Sequence, residues 1–318
     1  MMEKLQIFRI HLKTEAKDDT GKSLRGKFIQ CCLHSKQQHV AIGWSRAYDD
    51  YEGKIQTYDD YYKAVCKWNK AKRVNQSWNR FKENKKDDLF WTRDLDGMYW
   101  ICRSKGKAEA YYNKMLDIGA VIPVEAYKVG LEVPGQICGS FNQPRRPAVQ
   151  RLSGDLVREY SKYIFNRFSG STYYKILPVQ EDLLKSLPAK DLEELVIDYL
   201  QIKKNYYVLS NSIANHSTTI KIECEFRSRD VNQPNKKAVV QVKSLDFEGT
   251  LDAKDFKSFV EKGYKVYLFG PKEHVFNVEQ VGNCERITKE DLKAFYDEYK
   301  DVLPDSITKW ENIIKEKK

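Results

Sequence analysis

The sequence lacks the features that would place the protein in a membrane. No apolar stretch approaches the roughly 18 consecutive residues that a membrane-spanning helix needs. The first residues do not place an apolar segment after a charged one, so no secretory leader is expected. The mean hydropathy of −0.66 is that of a chain rich in polar side chains. We therefore expect a soluble protein that works in the cytoplasm.

Cysteine and histidine are present, but not in the spacings that bind zinc or form a disulfide framework. The seven cysteines include no C-x-x-C pair, and the five histidines are dispersed. Scattered cysteines in an odd number are typical of free thiols in a reducing compartment. The sequence also shows no internal repeat. What remains is a globular chain whose 318 residues are enough for two domains.

The excess positive charge is confined to the first half of the chain. The formal net charge is +10. Residues 1–152 contain 28 Lys and Arg against 18 Asp and Glu, whereas residues 153–318 contain 27 of each kind. Lys-rich surfaces often serve solubility alone, but an excess of basic side chains is also what a polyanion-binding surface needs. The first half is therefore the better candidate for binding nucleic acid.

Residues 1–152 show the pattern of a small β-barrel with helical insertions. Residues 58–85 contain neither Pro nor Gly and predict one or two helices. A further helix is predicted over residues 152–170, where we expect it to connect two domains with a boundary near Ser153. Short strands are predicted at residues 5–13, 28–33, 39–44, 89–91, 98–103, 121–127 and 136–141.

Four aromatic residues in these strands are candidates for binding a nucleobase: Trp44, Trp91, Tyr99 and Trp100. A base that is flipped out of a helix needs flat π surfaces on its faces and a few polar groups at its edge. The alternative is that each ring packs in the core, as Trp on an alternating strand often does. Tyr99 and Trp100 are adjacent and point to opposite faces of a strand, so we expect only one of them to line a pocket.

The phrases around these residues resemble the EVE and YTH branch of the PUA-like superfamily. The resemblance is diffuse and covers most of residues 1–152. It implies a β-barrel that binds a modified nucleobase in an aromatic cage. The phrases are Ala41-Ile42-Gly43-Trp44, Asp88-Leu89-Phe90-Trp91-Thr92-Arg93-Asp94, Gly97-Met98-Tyr99-Trp100, Val133-Pro134-Gly135-Gln136, Phe141 and Val149-Gln150-Arg151-Leu152.

A β-hairpin is predicted over residues 218–244. Its strands are residues 219–227 and 238–243, and the segment between them is rich in Asp, Asn and Pro, which form turns. The two-residue period of a strand places Glu223 and Glu225 on one face of the first strand, and Gln241 and Lys243 on one face of the second. A carboxylate, an amide oxygen and an ammonium group can therefore converge. Such a set can hold a hard cation, position water and stabilise charge on a phosphodiester.

The elements around the hairpin follow a regular order. An amphipathic helix at residues 191–200 carries Glu193 and Glu194 in its first turns, and a strand at residues 205–212 follows it. After the hairpin we predict a helix at residues 252–262 and a strand at residues 265–269. Two more helices are predicted at residues 288–299, which begin with a capping-box sequence, and at residues 306–317.

Two motifs in this order resemble those of the PD-(D/E)xK nuclease superfamily, especially its Mrr-like restriction endonuclease branch. They are Leu192-Glu193-Glu194-Leu195-Val196 and Gln241-Val242-Lys243, within a resemblance that covers about residues 187–270. It implies Mg²⁺, with Mn²⁺ able to substitute, bound by Glu223, Gln241 and Glu193, and water activated by Lys243. The second-strand acid is usually Asp in this family. Here it is Glu223, with Glu225 and Asp230 as alternatives.

The whole sequence predicts a protein of the α+β and α/β classes. We expect a PUA-like reader at residues 1–152, a connecting helix and linker at 153–180, and a nuclease domain at 181–318. The resemblances imply a homodimeric, modification-dependent DNA endonuclease that acts in phage defence on double-stranded DNA with modified bases. Two alternatives stay open. One is a nucleic-acid-binding protein with an inactive or partner-dependent nuclease fold, and the other is a reader or nuclease directed to RNA.

Overall fold

The computed structural model describes residues 5–49, 51, 54–68, 72–131, 133–142, 147–177, 182–209 and 222–314. The chain forms two compact units. One comprises Met1–Val133 and Ile137–Val179, and the other Pro134–Gln136 and Gln180–Lys318. Among the described residues, no helix combines the length and apolar character needed to cross a bilayer. All seven cysteines are free thiols, as their spacing predicted.

The first unit contains a curled seven-stranded sheet that forms half of a barrel. The longest strand, Ile118–Gly130, pairs with three others and so joins the parts of the sheet. The strands are β1 (Ile7–Ile10), β2 (His39–Ile42), β3 (Leu89–Arg93), β4 (Tyr99–Ser104), β5 (Glu109–Asn113), β6 (Ile118–Gly130) and β7 (Val149–Leu152). Their order is β2-β6-β4-β3-β1-β7, and β5 pairs with β6. Neither β5 nor β7 was expected from the sequence.

Helices cover this sheet and close its core. The segment without Pro and Gly contains two helices, at Tyr58–Trp68 and Lys72–Lys82, which is one of the two arrangements that the sequence predicted. The helices are α1 (Arg25–Leu33), α2 (Arg46–Asp49), α3 (Tyr58–Trp68), α4 (Lys72–Lys82), α5 (Gly135–Phe141) and α6 (Asp155–Ser169). Buried aromatic rings such as Phe8, Phe28 and Phe90 lie in the cluster that they enclose.

Two of the predicted strands are wrong. Residues 28–33 belong to α1, and residues 136–141 belong to α5. In α1 the buried residues Phe28, Ile29, Cys32 and Leu33 recur at the spacing of one helical face. A short segment that is only partly apolar can form a strand or a helix, so periodicity does not separate the two.

The helix that was expected to connect two domains belongs to the first unit. This helix, α6, packs on the first sheet, where the Nε1–H of Trp91 in β3 donates to Ser161 Oγ at 2.9 Å. Its cap residue is Gly154, with φ of +115° and no side-chain cap. The predicted caps, Ser153 and Asp155, do not fill that role. The first unit therefore extends well beyond Ser153.

The second unit is built on a mixed five-stranded sheet. Its central strands form the predicted antiparallel hairpin, in which Val239 lies opposite Glu225. The strands are β8 (Tyr206–Val208), β9 (Cys224–Ser228), β10 (Lys237–Val242), β12 (Tyr264–Phe269) and β14 (Cys284–Arg286), and the separate pair β11 (Leu251–Asp252) and β13 (Val275–Phe276). The main sheet has the order β14-β12-β10-β9-β8, with β10, β12 and β14 parallel. Parts of the predicted strands at 205–212 and 219–227 lie outside the described residues.

Short and long helices flank this sheet. They are α7 (Leu183–Ser186), α8 (Ala189–Ile202), α9 (Lys257–Glu261), α10 (Lys289–Tyr299) and α11 (Asp305–Thr308), with 3-10 turns at Ala253–Phe256, Lys272–His274, Val278–Gln280 and Lys309–Asn312. The predicted capping box of α10 is confirmed, because Thr288 and Asp291 bond reciprocally. The last predicted helix is shorter than expected, since α11 passes into a 3-10 turn.

A buried hydrogen bond ties the end of the described chain to α8. The indole Nε1–H of Trp310, which is fully buried, donates to Asp191 Oδ2 at 2.9 Å. We expect Asp191→Ala to lower the free energy of unfolding by about 1–3 kcal/mol, because the mutation leaves a buried donor without its acceptor. Urea unfolding measures this, with Asp301→Ala at an exposed position as the control. An unchanged urea midpoint would show that the bond contributes nothing.

Candidate functional site

Glu223 and Gln241 meet at one end of the central hairpin. The backbone N–H of Glu223 donates to Val240 O at 2.9 Å, which continues the pairing of β9 with β10 by one residue. The Gln241 Nε2 amide then donates to Glu223 Oε1 at 2.6 Å and to Val242 O at 3.2 Å. Gln241 is buried, and its hydrogen bond to the Glu223 carboxylate holds its amide in place. The predicted pairing of an acid with an amide across the two strands is present.

A second carboxylate approaches from helix α8. Burial raises the pKa of Glu223, and the nearby charge of Glu193 raises it further, whereas Lys190 and Lys243 act in the opposite direction. Glu193 itself forms an ion pair with Lys190, one turn earlier in α8. Helix α8 therefore brings one carboxylate and one ammonium group to the hairpin. The acid was predicted from the sequence and Lys190 was not.

Lys243 follows directly after β10. Its backbone N–H donates to Phe269 O at 2.8 Å, so the chain is still paired with β12 at this residue. The side chain is half-buried, and its Nζ lies 5.4 Å from the centre of the Phe247 ring. The positive charge of Lys243 lowers the pKa of Glu223, although burial of Glu223 has the larger and opposite effect. The ammonium group thus faces the same end of the sheet as the two carboxylates.

The two alternative acids lie elsewhere. Glu225 is on the same face as Glu223, but its Oε2 accepts a hydrogen bond of 3.1 Å from the hydroxyl of Tyr264 at the start of β12. Asp230 lies beyond the far end of β9, in the turn, where its Oδ1 accepts from the backbone N–H of Asn232 at 2.9 Å. Of the three candidates, the structure brings only Glu223 to Gln241.

The donor set is compatible with Mg²⁺, which often binds proteins through one or two carboxylates and keeps several waters. Within the described ranges, no three His, Cys, Asp or Glu side chains form a group that could hold a metal ion by themselves. Glu223 is half-buried beside Glu193, and a cation would stabilise the charged form of Glu223. Coordination by Gln241 requires its amide to rotate, because its NH₂ group points at Glu223 here.

Three of the four candidate base-binding residues are core residues, which corrects the expectation for them. Trp91 is fully buried and stacks on Tyr160 in α6 at 6.4 Å between ring centres. Trp100 is buried, and its Nε1–H donates to Asp94 Oδ2 at 2.9 Å. Tyr99 is buried, with an edge contact to Phe141. Tyr99 and Trp100 are adjacent and both buried, because β3 and β4 are covered on both faces, and their aromatic residues therefore serve packing.

Trp44 is different, because it lines a cavity of about 450 Å³ in the first unit. It packs against Trp78 of α4 with 4.8 Å between ring centres. The rest of the lining includes polar and charged side chains from the segment that follows β1, from the start of α1 and from the turn before β6. The residues lining the cavity are His11, Lys13, Thr14, Glu15, Arg25, Ala41, Ile42, Gly43, Trp44, Ser77, Trp78, Asp117, Pro147 and Ala148.

The loop that carries Trp44 is held in an unusual conformation. Trp44 has φ of +78°, a left-handed value that is rare for a bulky side chain. Asp117 Oδ1 accepts three hydrogen bonds from this loop, from the N–H of Trp44 and from the N–H and hydroxyl of Ser45, at 2.8–3.1 Å. The Tyr61 hydroxyl donates to Gly43 O. Strained backbone of this kind persists only where the surroundings enforce it, and it is frequent at functional sites.

Sequence reasoning missed the neighbours of Trp44. Trp78, Asp117 and Arg25 come from a helix, a turn and the start of another helix, far apart along the chain. No local pattern joins them. One signal was available, since Trp78 was within the predicted helical segment and large aromatic residues on a helix need a partner.

Comparison with models of protein families, with curated proteins and with solved structures gives no match.

Proposed function

We propose that the protein is a Mg²⁺-dependent endonuclease that cleaves DNA containing modified bases. The observation that carries this proposal is the meeting of Glu223 and Gln241 across β9 and β10, with Glu193 and Lys243 at the same end. Two acids, an amide and an ammonium group at one end of a sheet are the groups that metal-dependent phosphodiester hydrolysis uses.

The topology of the second unit supports the finer assignment to a restriction-endonuclease-like fold. An acidic helix, α8, precedes strands β8, β9 and β10, and a short helix then leads to the parallel strand β12. This is the order that the PD-(D/E)xK resemblance implies. The curled sheet of the first unit, with its cavity, supports the PUA-like assignment in the same way.

The residues of the site have separate roles in the proposed reaction. Glu223 and the rotated amide of Gln241 would hold Mg²⁺, and Glu193 would hold a metal-bound water or a second ion. The metal, when bound, polarises the phosphate and lowers the pKa of its water. Lys243 orients the attacking water and offsets the negative charge that develops on the phosphoryl oxygens. A homodimer would present two such sites, one for each DNA strand.

Phage DNAs that differ in their natural base modifications provide the test. The full chain is incubated with each DNA in Mg²⁺, in Mn²⁺ and in EDTA, alongside unmodified DNA and RNA. We expect cleavage of at least one modified DNA with either metal and none in EDTA. Cleavage of RNA alone would favour the RNA-directed alternative. Binding without cleavage under all conditions would favour the inactive nuclease fold.

The phosphate-binding surface is expected on helices α3 and α4. Residues 63–86 contain nine Lys and Arg but a single acidic residue, so this segment accounts for most of the excess charge. We expect Lys63→Glu with Lys67→Glu to weaken DNA binding and to reduce the slope of log K against log salt by about one for each phosphate that the chain no longer neutralises. Anisotropy titrations at several salt concentrations measure this. The matched control is Lys257→Glu with Lys262→Glu, also at exposed positions, where an equal effect would contradict the assignment.

A further inference from the structure

We propose that the cavity beside Trp44 accepts a nucleobase that carries a neutral, sugar-sized, hydroxyl-rich substituent. This inference rests on the proposed function of the first unit, and it adds the chemical class of the modification. A methylated base and a base with an anionic substituent are the alternatives that it excludes.

The size of the cavity is the first reason. A protein cavity of about 150 Å³ holds a benzene ring. The cavity beside Trp44 has a volume of about 450 Å³, which is enough for a six-membered base and a second group of at least equal size. A methyl group would leave most of this space to water. The volume therefore fits a pyrimidine joined to a hexose.

The arrangement of the aromatic rings is the second reason. Trp44 and Trp78 contact each other at 4.8 Å, so a base cannot insert between them. They form one continuous wall, and polar and charged side chains are among the other residues that line the cavity. An aromatic wall can stack a base and can also pack against the C–H face of a pyranose ring. A cage that closes on a methyl group from several sides would need further rings.

The charges of the lining are the third reason. Lys13 and Arg25 are balanced by Glu15 and Asp117, so the lining carries no net charge apart from His11. Burial, together with Arg9 and Lys13, lowers the pKa of His11 to about 3. His11 is thus a neutral imidazole at physiological pH, with one nitrogen that donates and one that accepts. Such a lining suits hydroxyl groups, which both donate and accept, better than it suits a carboxylate or a phosphate.

The cavity wall is also built before any ligand arrives. The three hydrogen bonds to Asp117 and the Tyr61 contact hold the Trp44 loop at its left-handed φ. A preorganised wall loses little freedom on binding, which favours affinity. It also allows a clean variant, because glycine adopts a φ of +78° without strain, and Trp44→Gly removes the ring while the loop is kept.

Binding of the full chain to one duplex sequence with different central bases tests the proposal. The bases are cytosine, 5-methylcytosine, 5-hydroxymethylcytosine, 5-carboxylcytosine, and the glucosylated forms of 5-hydroxymethylcytosine and 5-hydroxymethyluracil. We expect the protein to bind a glucosylated duplex with roughly tenfold or higher affinity than the methylated one. A difference of this size corresponds to one additional group packed on an aromatic ring. Trp44→Gly and His11→Ala should both remove this preference. Tyr111→Ala, at an exposed aromatic position of the same unit, should keep it.

The possible results separate the inference from the proposed function. Tightest binding of the methylated or the carboxylated duplex would overturn the inference and leave the base-sensing function standing. Equal binding of all the duplexes would overturn both. A glucose preference that survives in Trp44→Gly and in His11→Ala would place the recognition elsewhere and would also overturn the inference.

Discussion

Replacing Lys243 with alanine should reduce metal-dependent DNA cleavage by about a hundredfold or more, because removing one preorganised group that stabilises transition-state charge has an effect of roughly this size. The fold should tolerate the change. The Lys243 side chain is half-buried, and its Nζ lies over the Phe247 ring. The hydrogen bond from the Lys243 backbone to Phe269 does not involve the side chain. Plasmid cleavage under single-turnover conditions measures the effect. The melting temperature of the variant should differ from that of the unmodified chain by only a few degrees.

Two further variants show whether the effect belongs to the ammonium group. Lys243→Arg keeps a positive charge but replaces a compact ammonium group by a planar guanidinium, so activity should recover only in part. Lys257→Ala removes an exposed lysine of the same unit and should cleave as the unmodified chain does. If Lys243→Ala cleaves normally, this end of the hairpin does not take part in the chemistry.

The sequence predicted the hairpin of the second unit well, because the patterns that indicate a hairpin lie within the segment itself. The two-residue period along β9 and β10 sets the face on which Glu223 and Gln241 lie, and a slip of one residue would turn every side chain over. The turn between the strands is rich in turn-forming residues. These signals need no knowledge of the rest of the chain. The capping box of α10 was predictable for the same reason.

The sequence did not predict features that depend on tertiary packing. The ion pair of Lys190 with Glu193 is local to α8, but its nearness to Glu223 follows from the placement of α8 against the sheet. The burial of Trp91 follows from α6, which packs over β3. Apolar runs such as residues 28–33 became helical because tertiary context decides between two structures that the run itself permits.

The same distinction explains the aromatic site. Trp44 was a candidate because its flat ring could stack on a base, but nothing in its own segment indicates a left-handed backbone. That conformation is imposed by Asp117, which reaches the loop from the turn before β6. The cavity is thus a property of several separated segments, and a pattern within one segment cannot reveal it.

Glu223→Gln should abolish metal-dependent cleavage to a similar extent, while Glu225→Gln should reduce it only slightly. The first change removes the charge that attracts Mg²⁺ at the acid that meets Gln241. The second affects a carboxylate that accepts a hydrogen bond from the Tyr264 hydroxyl, and an amide oxygen can accept the same bond.

The stability of Glu223→Gln gives an independent readout. Burial and the charge of Glu193 both oppose ionisation of Glu223, so the neutral amide should leave the melting temperature of the metal-free protein unchanged or higher. Added Mg²⁺ or Mn²⁺ should raise the melting temperature of the unmodified chain and of Glu225→Gln, because a ligand that binds only the folded state stabilises it. It should have little effect on Glu223→Gln. If instead Glu225→Gln loses both cleavage and the metal-dependent shift, the metal lies two residues further along β9, and Glu225 is the acid that binds it.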